Sequence, residues 1–309
     1  MAVVETVDLT KVYNGNVAVD KLNLQIEEGE VFGFLGPNGA GKTTTILMLL
    51  GLTEPTSGTA RVGGFNCTRE PLKVKRIAGY VPEKVGFYDY LTAAYNLDYV
   101  AALNGIAKDA ASKRIKEALE VVGLGKVANK PVETFSKGMK QRLAIAELLV
   151  KTPKVVFLDE PTSGIDPEGV VQVLDLIKKI AREHNMTIVL SSHQLNQVQR
   201  VCRRVGIMLK GKMVVQGMID QLGKQTLGGG RFMVNVKLTE VNSSIVEAVK
   251  KIKGVVSVER SGDSLLISCN EDLRPKIAKA IVDSDGLLVN MEIQSFALED
   301  IYMKYFREG

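Results

Sequence analysis

The segment from Gly36 to Thr43 has the residue types and the spacing of a phosphate-binding loop. It reads GPNGAGKT and fits the pattern G-x-x-x-x-G-K-[ST] at every fixed position. Its glycines let the backbone curl so that successive N–H groups point at one anion. We expect Lys42 to reach the β- and γ-phosphates of a nucleotide and the Thr43 hydroxyl to ligate Mg²⁺. The predicted nucleotide contacts are Gly36, Pro37, Asn38, Gly39, Ala40, Gly41, Lys42, Thr43 and Thr44.

The residues on either side of this loop have the patterns of the elements that must hold it. Val31 to Leu35 is a short apolar run typical of a buried strand, and Thr44 to Leu50 has the character of a helix. Such a helix directs the positive end of its dipole at the bound anion. A glycine-rich turn that fits the pattern by chance is the alternative, and the flanking strand and helix argue against it.

Two adjacent carboxylates follow a second apolar run. Val155 to Leu158 predicts a buried strand, and Asp159 and Glu160 come directly after it. The carboxyl end of a parallel strand lies beside the ligand site of an open α/β sheet. We expect Asp159 to hold Mg²⁺ and Glu160 to orient or deprotonate an attacking water. The alternative is a solvated acidic strand end.

Two further residues have side chains suited to nucleotide contacts, but the sequence around them leaves their roles open. His193 follows the apolar run Ile188 to Leu190 and is placed to reach a γ-phosphate, with a structural role equally open. Tyr13 precedes an Asn14-Gly15 turn signal and has a ring able to stack on adenine. Half-buried packing is the simpler interpretation of Tyr13.

Composition indicates an ordinary soluble globular protein. Apolar residues make up 45% and charged residues 24% of the 309 residues, and the net charge of +5 comes without a long basic run that would predict a nucleic-acid arm. Three dispersed cysteines favour reduced thiols in the cytosol over a disulfide or zinc framework. We expect neither a signal peptide nor a membrane-spanning helix, because no apolar run is long enough.

The order of patterns along the chain predicts two domains. Alternating residues before the phosphate loop indicate an antiparallel layer, and residues 84–145 have the spacing of a helical insertion. A glycine linker at Thr226 to Gly230 places the boundary between domains 1–225 and 226–309. The second domain has the order β-α-β-β-α-β, a ferredoxin-like arrangement, and no metal or nucleophile constellation. A docking or dimerising role is its simplest interpretation.

Five segments together resemble the ATP-binding-cassette (ABC) ATPases. They are GPNGAGKTT from Gly36, SKGMKQ from Ser136, VVFLDEP from Val155, SGID from Ser163, and His193. The resemblance covers about residues 1–220. Within that family the chain is similar to single-cassette subunits of bacterial and archaeal export systems, which pair with separately encoded membrane subunits on the cytoplasmic face of the membrane. The match of the small second domain to those relatives is loose.

The resemblance implies roles that spacing alone does not assign. Two copies face each other head to tail, so Ser136 and Gly138 of one copy contact the γ-phosphate of ATP bound to the other. Asp166 lines the interface between copies. Tyr13 becomes the adenine platform and His193 the γ-phosphate sensor. The implied activity is hydrolysis of Mg-ATP, with ATP-driven dimerisation and release supplying force to the membrane subunits.

Two departures from the family pattern bear on these roles. Where relatives have Leu-Ser-Gly-Gly-Gln, this chain has Phe135, Lys137 and Met139 at three places but keeps the Ser and the second Gly. Glu83 stands where many relatives have a glutamine that touches Mg²⁺ and senses the membrane subunit, so we expect Glu83 as a charged Mg²⁺ ligand.

Two other hypotheses remain open from the sequence. A soluble cassette acting on nucleic acid or in protein assembly would share the same motifs, although the modest net charge and the lack of a basic stripe argue against nucleic acid. The C-terminal domain is also compatible with binding a small effector that regulates the ATPase, since fold pattern does not specify function.

Overall fold

The computed structural model describes residues 2–226, 232–293 and 298–308. The chain divides into two compact units, Met1–Gln216 and Gly217–Gly309. After Thr226, the predicted glycine linker lies outside the described residues. The division between the units therefore falls earlier in the chain than the predicted boundary at residues 225 and 226.

An antiparallel sheet is formed by two strands that precede the phosphate loop in the chain and two that follow it. Its strands are β1 (Ala2–Tyr13), β2 (Asn16–Glu27), β4 (Ser57–Val62) and β5 (Phe65–Asn66), in the order β2-β1-β4-β5. The turn at Asn14 and Gly15 joins β1 to β2, and both residues have positive φ, as the Asn-Gly signal predicts. The predicted antiparallel layer is confirmed.

A second, six-stranded sheet carries the phosphate loop and the two adjacent carboxylates at the ends of its strands. Its strands are β3 (Val31–Leu35), β6 (Ala78–Val81), β7 (Val155–Asp159), β8 (Thr187–Ser192), β9 (Arg204–Leu209) and β10 (Lys212–Met218), in the order β10-β9-β3-β8-β7-β6. From β9 to β6 the neighbouring strands are parallel. Every residue of β7 and β8 is buried, as expected for central strands of a parallel sheet that is covered on both faces. The three predicted strands of this sheet are confirmed.

The helices of the first unit follow the strands or form the predicted insertion. They are α1 (Lys42–Leu49), α2 (Pro71–Ile77), α3 (Ala93–Leu103), α4 (Lys108–Val121), α5 (Lys137–Lys151), α6 (Pro167–His184) and α7 (Leu195–Val201). Short 3₁₀ turns at Gly125–Val127 and Val132–Thr134 lead from α4 to α5. α3, α4 and α5 pack on one another, which gives the helical insertion its own core.

The core of the first unit joins both of its sheets. Phe32 and Phe34 of β3 and Phe157 of β7 are fully buried, and they share one apolar cluster with Leu9 and Leu22 of the antiparallel layer. Because the cluster includes residues of α1, the elements that carry the phosphate loop are fixed on both sides.

The second unit has the predicted ferredoxin-like topology. Its elements are α8 (Ile219–Thr226), β11 (Phe232–Leu238), α9 (Ser243–Lys250), β12 (Val255–Ser261), β13 (Ser264–Cys269), α10 (Arg274–Val282), β14 (Leu288–Ile293) and α11 (Leu298–Glu308). The antiparallel sheet has the order β12-β13-β11-β14, and its buried residues form a separate core. α8 packs against α11, which explains why the division between units precedes α8.

None of the helices in the described ranges combines the length and the apolar character needed to cross a bilayer.

Candidate functional site

The phosphate loop connects the end of β3 to the start of α1. Gly41 caps α1 with φ of 104°, a backbone conformation that side chains with a Cβ rarely adopt. A Cβ there would also collide with the carbonyl oxygen of Ala18 in β2. The Thr45 N–H and hydroxyl both donate to the Gly41 carbonyl at 2.9 Å, which closes the first turn of the helix. The sequence thus requires glycine at this point in the loop.

Lys42 folds back over the loop that precedes it. Its ammonium donates to the carbonyl oxygens of Gly36 at 2.7 Å and Pro37 at 3.2 Å. It also lies 3.3 Å from Oε1 of Glu160, and both side chains are less than a tenth exposed. The positive charge is therefore held within the curl of the loop, where an anion would be bound.

The first acidic residue of the predicted pair contacts the loop threonine. The Thr43 hydroxyl donates to Oδ2 of Asp159 at 2.7 Å, and the Ser191 hydroxyl donates to the other oxygen, Oδ1. Asp159 is buried, and each of its carboxylate oxygens accepts a hydrogen bond from a hydroxyl group. This pairing brings together the ends of three adjacent strands, β3, β8 and β7.

The second acidic residue lies between Lys42 and His193. Oε1 of Glu160 forms an ion pair with the Lys42 ammonium, and Oε2 lies 2.9 Å from Nδ1 of His193. The Glu160 backbone has φ of 48°, and its N–H donates to the carbonyl oxygen of Ser191 at 3.1 Å. Such a left-handed backbone for a non-glycine residue is an energetic cost that clusters at functional sites. The buried Oε1 has no hydrogen-bond partner among the described atoms.

Glu83 completes the group at the strand ends. It follows β6 and accepts a hydrogen bond from the Ser163 hydroxyl at 3.1 Å. A pocket of about 280 Å³ is lined by the loop together with acidic residues from two other strand ends. Its lining residues are Ala18, Asn38, Gly39, Ala40, Gly41, Lys42, Thr43, Thr44, Glu83 and Glu160.

The residues assigned to the interface between copies lie at helix N-termini, and they do not line this pocket. Ser136 caps α5 and accepts from the Met139 N–H at 3.2 Å. Asp166 caps α6 and accepts from the Gly169 N–H at 3.2 Å. The segment leading to Asp166 packs on α5, because a Cβ added to Gly138 would lie 3.3 Å from a methyl carbon of Ile165.

Tyr13 lies at the end of β1, and it is likewise not among the pocket-lining residues. The residue is 44% exposed, so a flat ligand has access to its side chain. Tyr13 pairs with Asn16 across the turn, and Ala18 two residues further along β2 lines the phosphate pocket. The hairpin thus connects the aromatic ring to the loop.

Sequence reasoning missed two residues of the site. The Ser191 hydroxyl donates to Asp159 and accepts from the Glu160 N–H, and the sequence alone assigns it no role. Its position two residues before His193, at the end of a strand beside β7, was the available signal. Ala18 was missed because nothing in a small residue on an alternating strand indicates contact with a distant loop.

Electrostatics at the strand ends reflect the buried acidic pair. Burial, together with the negative charge of Asp159, raises the pKa of Tyr80 in β6 to about 12, so its hydroxyl stays protonated at neutral pH. The oxygens of Thr43, Asp159 and Glu83 are hard ligands of the kind that Mg²⁺ prefers. Only two of the three are carboxylates, which suits an ion that takes its remaining ligands from phosphates and water.

Comparison with known proteins identifies the family. The ABC transporter family model matches residues 19–163. The bacitracin transport ATP-binding protein BcrA of Bacillus licheniformis is 37% identical over 99% of this chain and 98% of its own length. The daunorubicin/doxorubicin resistance ATP-binding protein DrrA of Streptomyces peucetius is 34% identical over 96% of this chain and 88% of its own length.

Solved structures agree for the cassette. CbiO1 of Clostridium perfringens, part of the ABC transporter complex cbiONQ, superposes with a TM-score of 0.66 at 30% identity, over 70% of this chain and 88% of its own. A dimeric ATP-binding cassette, MJ0796, bound to ADP and phosphate in a post-hydrolysis state, has a TM-score of 0.63 at 25% identity. The match covers 70% of this chain and 98% of that cassette. The loop, the acidic pair and these relatives lead to one conclusion: the chain belongs to the ATP-binding proteins of ABC transporters, and it is the ATPase subunit of such a transporter.

Proposed function

We propose that this chain powers an exporter through Mg-ATP-dependent dimerisation. The supporting observation for export is the extent of the similarity. Relatives whose names state bacitracin transport and daunorubicin/doxorubicin resistance align over nearly the whole chain, so the likeness includes the second unit as well as the cassette.

The arrangement around Glu160 supports its role as the group that orients and deprotonates water. Its carboxylate is buried, lies at the end of β7 and faces the pocket beside the loop. Phosphate oxygens in the loop would compete for the Lys42 ammonium, which leaves Oε1 available to accept a proton from water. His193 holds the other oxygen, so the carboxylate keeps its orientation and His193 is positioned to detect the γ-phosphate.

The Mg²⁺ ion and the nucleotide have separate sets of contacts in this proposal. Thr43, Asp159 and Glu83 would hold Mg²⁺, which neutralises phosphate charge when bound. The residues from Gly36 to Thr44 bind the phosphates through backbone N–H groups and Lys42. Tyr13 stacks on the adenine.

Two copies of the chain complete each nucleotide site. Ser136 and Gly138 lie at the N-terminus of α5, where backbone N–H groups and the helix dipole favour an anion. A second copy would place this helix end against the γ-phosphate, with Asp166 at the interface. The dimeric ADP- and phosphate-bound neighbour supports this arrangement. Because the γ-phosphate contacts both copies only in the closed pair, loss of the γ-phosphate on hydrolysis favours separation of the two copies.

Exposed tyrosines after Glu83 support docking of a membrane subunit. Tyr90 and Tyr95 are 73% and 64% exposed, and Tyr88 makes edge-to-face contacts with Tyr90 and Tyr99. Asn96 hydrogen-bonds to both backbone groups of Tyr88, which fixes this loop. Ordered exposed aromatic side chains are typical of protein interfaces. In this proposal the protein lies on the cytoplasmic face of the membrane, held by that partner.

The second unit, Gly217–Gly309, supports dimerisation or docking in this scheme. A regulatory unit that binds a small effector is the alternative. ATPase rates that respond to added small molecules, and lose the response after truncation in the linker, would favour regulation over support.

The test is a pull-down from detergent-solubilised native membranes, with tagged Glu160→Gln and Mg-ATP holding the closed dimer. We expect a polytopic membrane protein in stoichiometric amount, and its loss when Tyr90 and Tyr95 are both replaced by serine. Val7→Ser, which removes an apolar side chain of β1 that is 59% exposed, is the control. Recovery of only soluble proteins or nucleic acid by an active ATPase would replace the exporter with the soluble-cassette hypothesis.

A further inference from the structure

Lys11 lies beside the ring of Tyr13 and has no role in the site described above. Its ammonium is 4.8 Å from the centroid of the ring, within the range of a cation–π interaction. The two residues are separated by one residue on β1, where the pairing with β2 shifts register between Lys11 and Val12. One side of the ring therefore has a fixed positive charge, while the side chain is still 44% exposed.

The same ammonium also reaches the segment that follows the phosphate-loop helix. It donates to the carbonyl oxygen of Glu54 at 2.7 Å. That segment is attached to α1, because the N–H groups of Leu52 and Thr53 both donate to the carbonyl oxygen of Leu47. Lys11 thus connects the aromatic ring to the helix that carries Lys42 and Thr43.

Backbone contacts on both sides of Lys11 keep this connection in register. The Thr56 N–H donates to the carbonyl oxygen of Thr10 at 2.8 Å, and the Val12 N–H donates to the Thr56 hydroxyl at 3.0 Å. Three consecutive residues of β1 are therefore bonded to residues 54–56. The end of the strand, with Tyr13, has a defined position relative to α1.

We propose that Lys11 is a positioning residue for nucleotide binding. It holds the Tyr13 ring at a fixed distance from the phosphate loop and polarises the ring from one side, so that adenine stacks on the ring while the phosphates occupy the loop. This role rests on the proposed function, in which Tyr13 is the adenine platform. Lys11 itself does not contact the nucleotide.

Two ligands separate this role from a direct contact with phosphate. Mg-ATP contains the adenine and inorganic triphosphate does not, and both present phosphates to the loop. Binding is measured by isothermal titration calorimetry in the Glu160→Gln background, where turnover is suppressed. In Lys11→Met, which keeps a long apolar side chain without the charge, we expect the Kd for Mg-ATP to rise about two- to fivefold. The Kd for triphosphate stays unchanged.

Two variants test the chemistry of the effect. Lys11→Arg retains a cation able to lie over the ring, and we expect it to restore Mg-ATP affinity to within about twofold of the parent. Lys113→Met removes an exposed lysine of α4 and serves as the control for loss of one positive charge. Tyr13→Trp introduces the only tryptophan of the chain, so its fluorescence reports adenine stacking with and without Lys11→Met.

A double-mutant cycle with Tyr13→Ala completes the test. If Lys11 acts through the ring, Lys11→Met has no further effect on Mg-ATP affinity once the ring is gone. An effect that persists without the ring, or an equal loss of triphosphate affinity, overturns the proposal in favour of direct contact. Loss of affinity in Tyr13→Ala with none in Lys11→Met overturns the role of Lys11 alone. Unchanged affinity in Tyr13→Ala overturns the adenine platform and Lys11's role with it.

Discussion

The Lys42 ammonium and Oε1 of Glu160 lie 3.3 Å apart, with both side chains less than a tenth exposed. Lys42 also donates to two loop carbonyl oxygens, whereas Oε1 has no hydrogen bond among the described atoms. Oε1 therefore depends on Lys42 more than Lys42 depends on Oε1, while Oε2 retains His193. Breaking a buried pair costs most when one charge is left without its partner.

This asymmetry predicts that Lys42→Ala lowers both stability and nucleotide affinity. We expect a loss of about 2–4 kcal/mol in the free energy of unfolding, measured by urea denaturation without nucleotide. The double variant Lys42→Ala with Glu160→Gln should regain at least half of that loss, because its amide needs no cation. Neither variant should recover ATP affinity. A double variant no more stable than Lys42→Ala would show that the pair contributes nothing.

Glu160→Gln alone should separate binding from turnover. We expect ATP hydrolysis to fall about 10²- to 10⁴-fold, the usual contribution of a general base, with ATP affinity retained. The variant should accumulate as an ATP-bound dimer in light scattering. Glu168→Gln, on the exposed first turn of α6, is the matched control. Near-normal phosphate release from Glu160→Gln would remove its role as the base.

Ser191→Ala should alter the requirement for Mg²⁺. The Ser191 hydroxyl holds one oxygen of Asp159, and groups that orient a metal ligand typically contribute about 10- to 100-fold in metal affinity or activity. We expect a rise of at least tenfold in the Mg²⁺ concentration that gives half-maximal ATPase activity. Ser192→Ala removes a neighbouring hydroxyl that accepts from the Gln194 N–H, and it should leave the Mg²⁺ requirement unchanged. Equal effects from both serines would contradict the orienting role.

Two loop glycines should respond differently to alanine. A Cβ at Gly41 would lie 2.7 Å from the methyl carbon of Met208 and collide with the Ala18 carbonyl, whereas at Gly39 it meets nothing within 4 Å. Both have positive φ, so each substitution costs about 1–2 kcal/mol of backbone strain. We expect Gly41→Ala to lose several further kcal/mol in thermal or urea unfolding, together with ATP binding. A Gly41→Ala protein as stable as Gly39→Ala would mean that the β1–β2 hairpin moves away from the added methyl group at no cost in stability.

Glu147 of α5 should make stability depend on pH. Burial raises the pKa of this carboxyl from 4.5 to about 7, so the folded state holds the proton more tightly than the unfolded state. Stability therefore falls as pH rises from about 4.5 to about 7, and the penalty remains above that range. We expect Glu147→Gln to be more stable than the parent by about 1–3 kcal/mol at pH 8, with the difference shrinking towards pH 5. Glu117→Gln, exposed on α4, should show no such trend.

Local signals explain what the sequence could predict. The loop, the helix after it and the acidic strand end are each fixed within a few residues. Within the predicted helical insertion, α3 begins after Thr92, whose side chain caps it by accepting a hydrogen bond from the Tyr95 N–H. The β-α-β-β-α-β order could be predicted because turn residues separate short strands of alternating pattern.

Contacts between segments that are distant in the sequence could not be predicted from local patterns. The bond from Ser191 to Asp159 joins residues 32 apart, and the bond from Ser163 to Glu83 joins residues 80 apart. Neither has a local signature, because any hydroxyl at a strand end would look the same. α8 likewise has an ordinary amphipathic pattern, and only its packing on α11 assigns it to the second unit.

The place of β3 in its sheet sets the order in which the protein is assembled on the ribosome. β3 pairs with β8 and β9, which begin at Thr187 and Arg204. β6 is the next strand of this sheet to be synthesised after β3, but it lies at the far edge of the sheet. At about 5–20 residues per second, roughly 8–30 s separate synthesis of β3 from that of its first sheet partner. Until then β3 lacks both of its sheet partners, so nascent chains shorter than about 190 residues should not bind nucleotide.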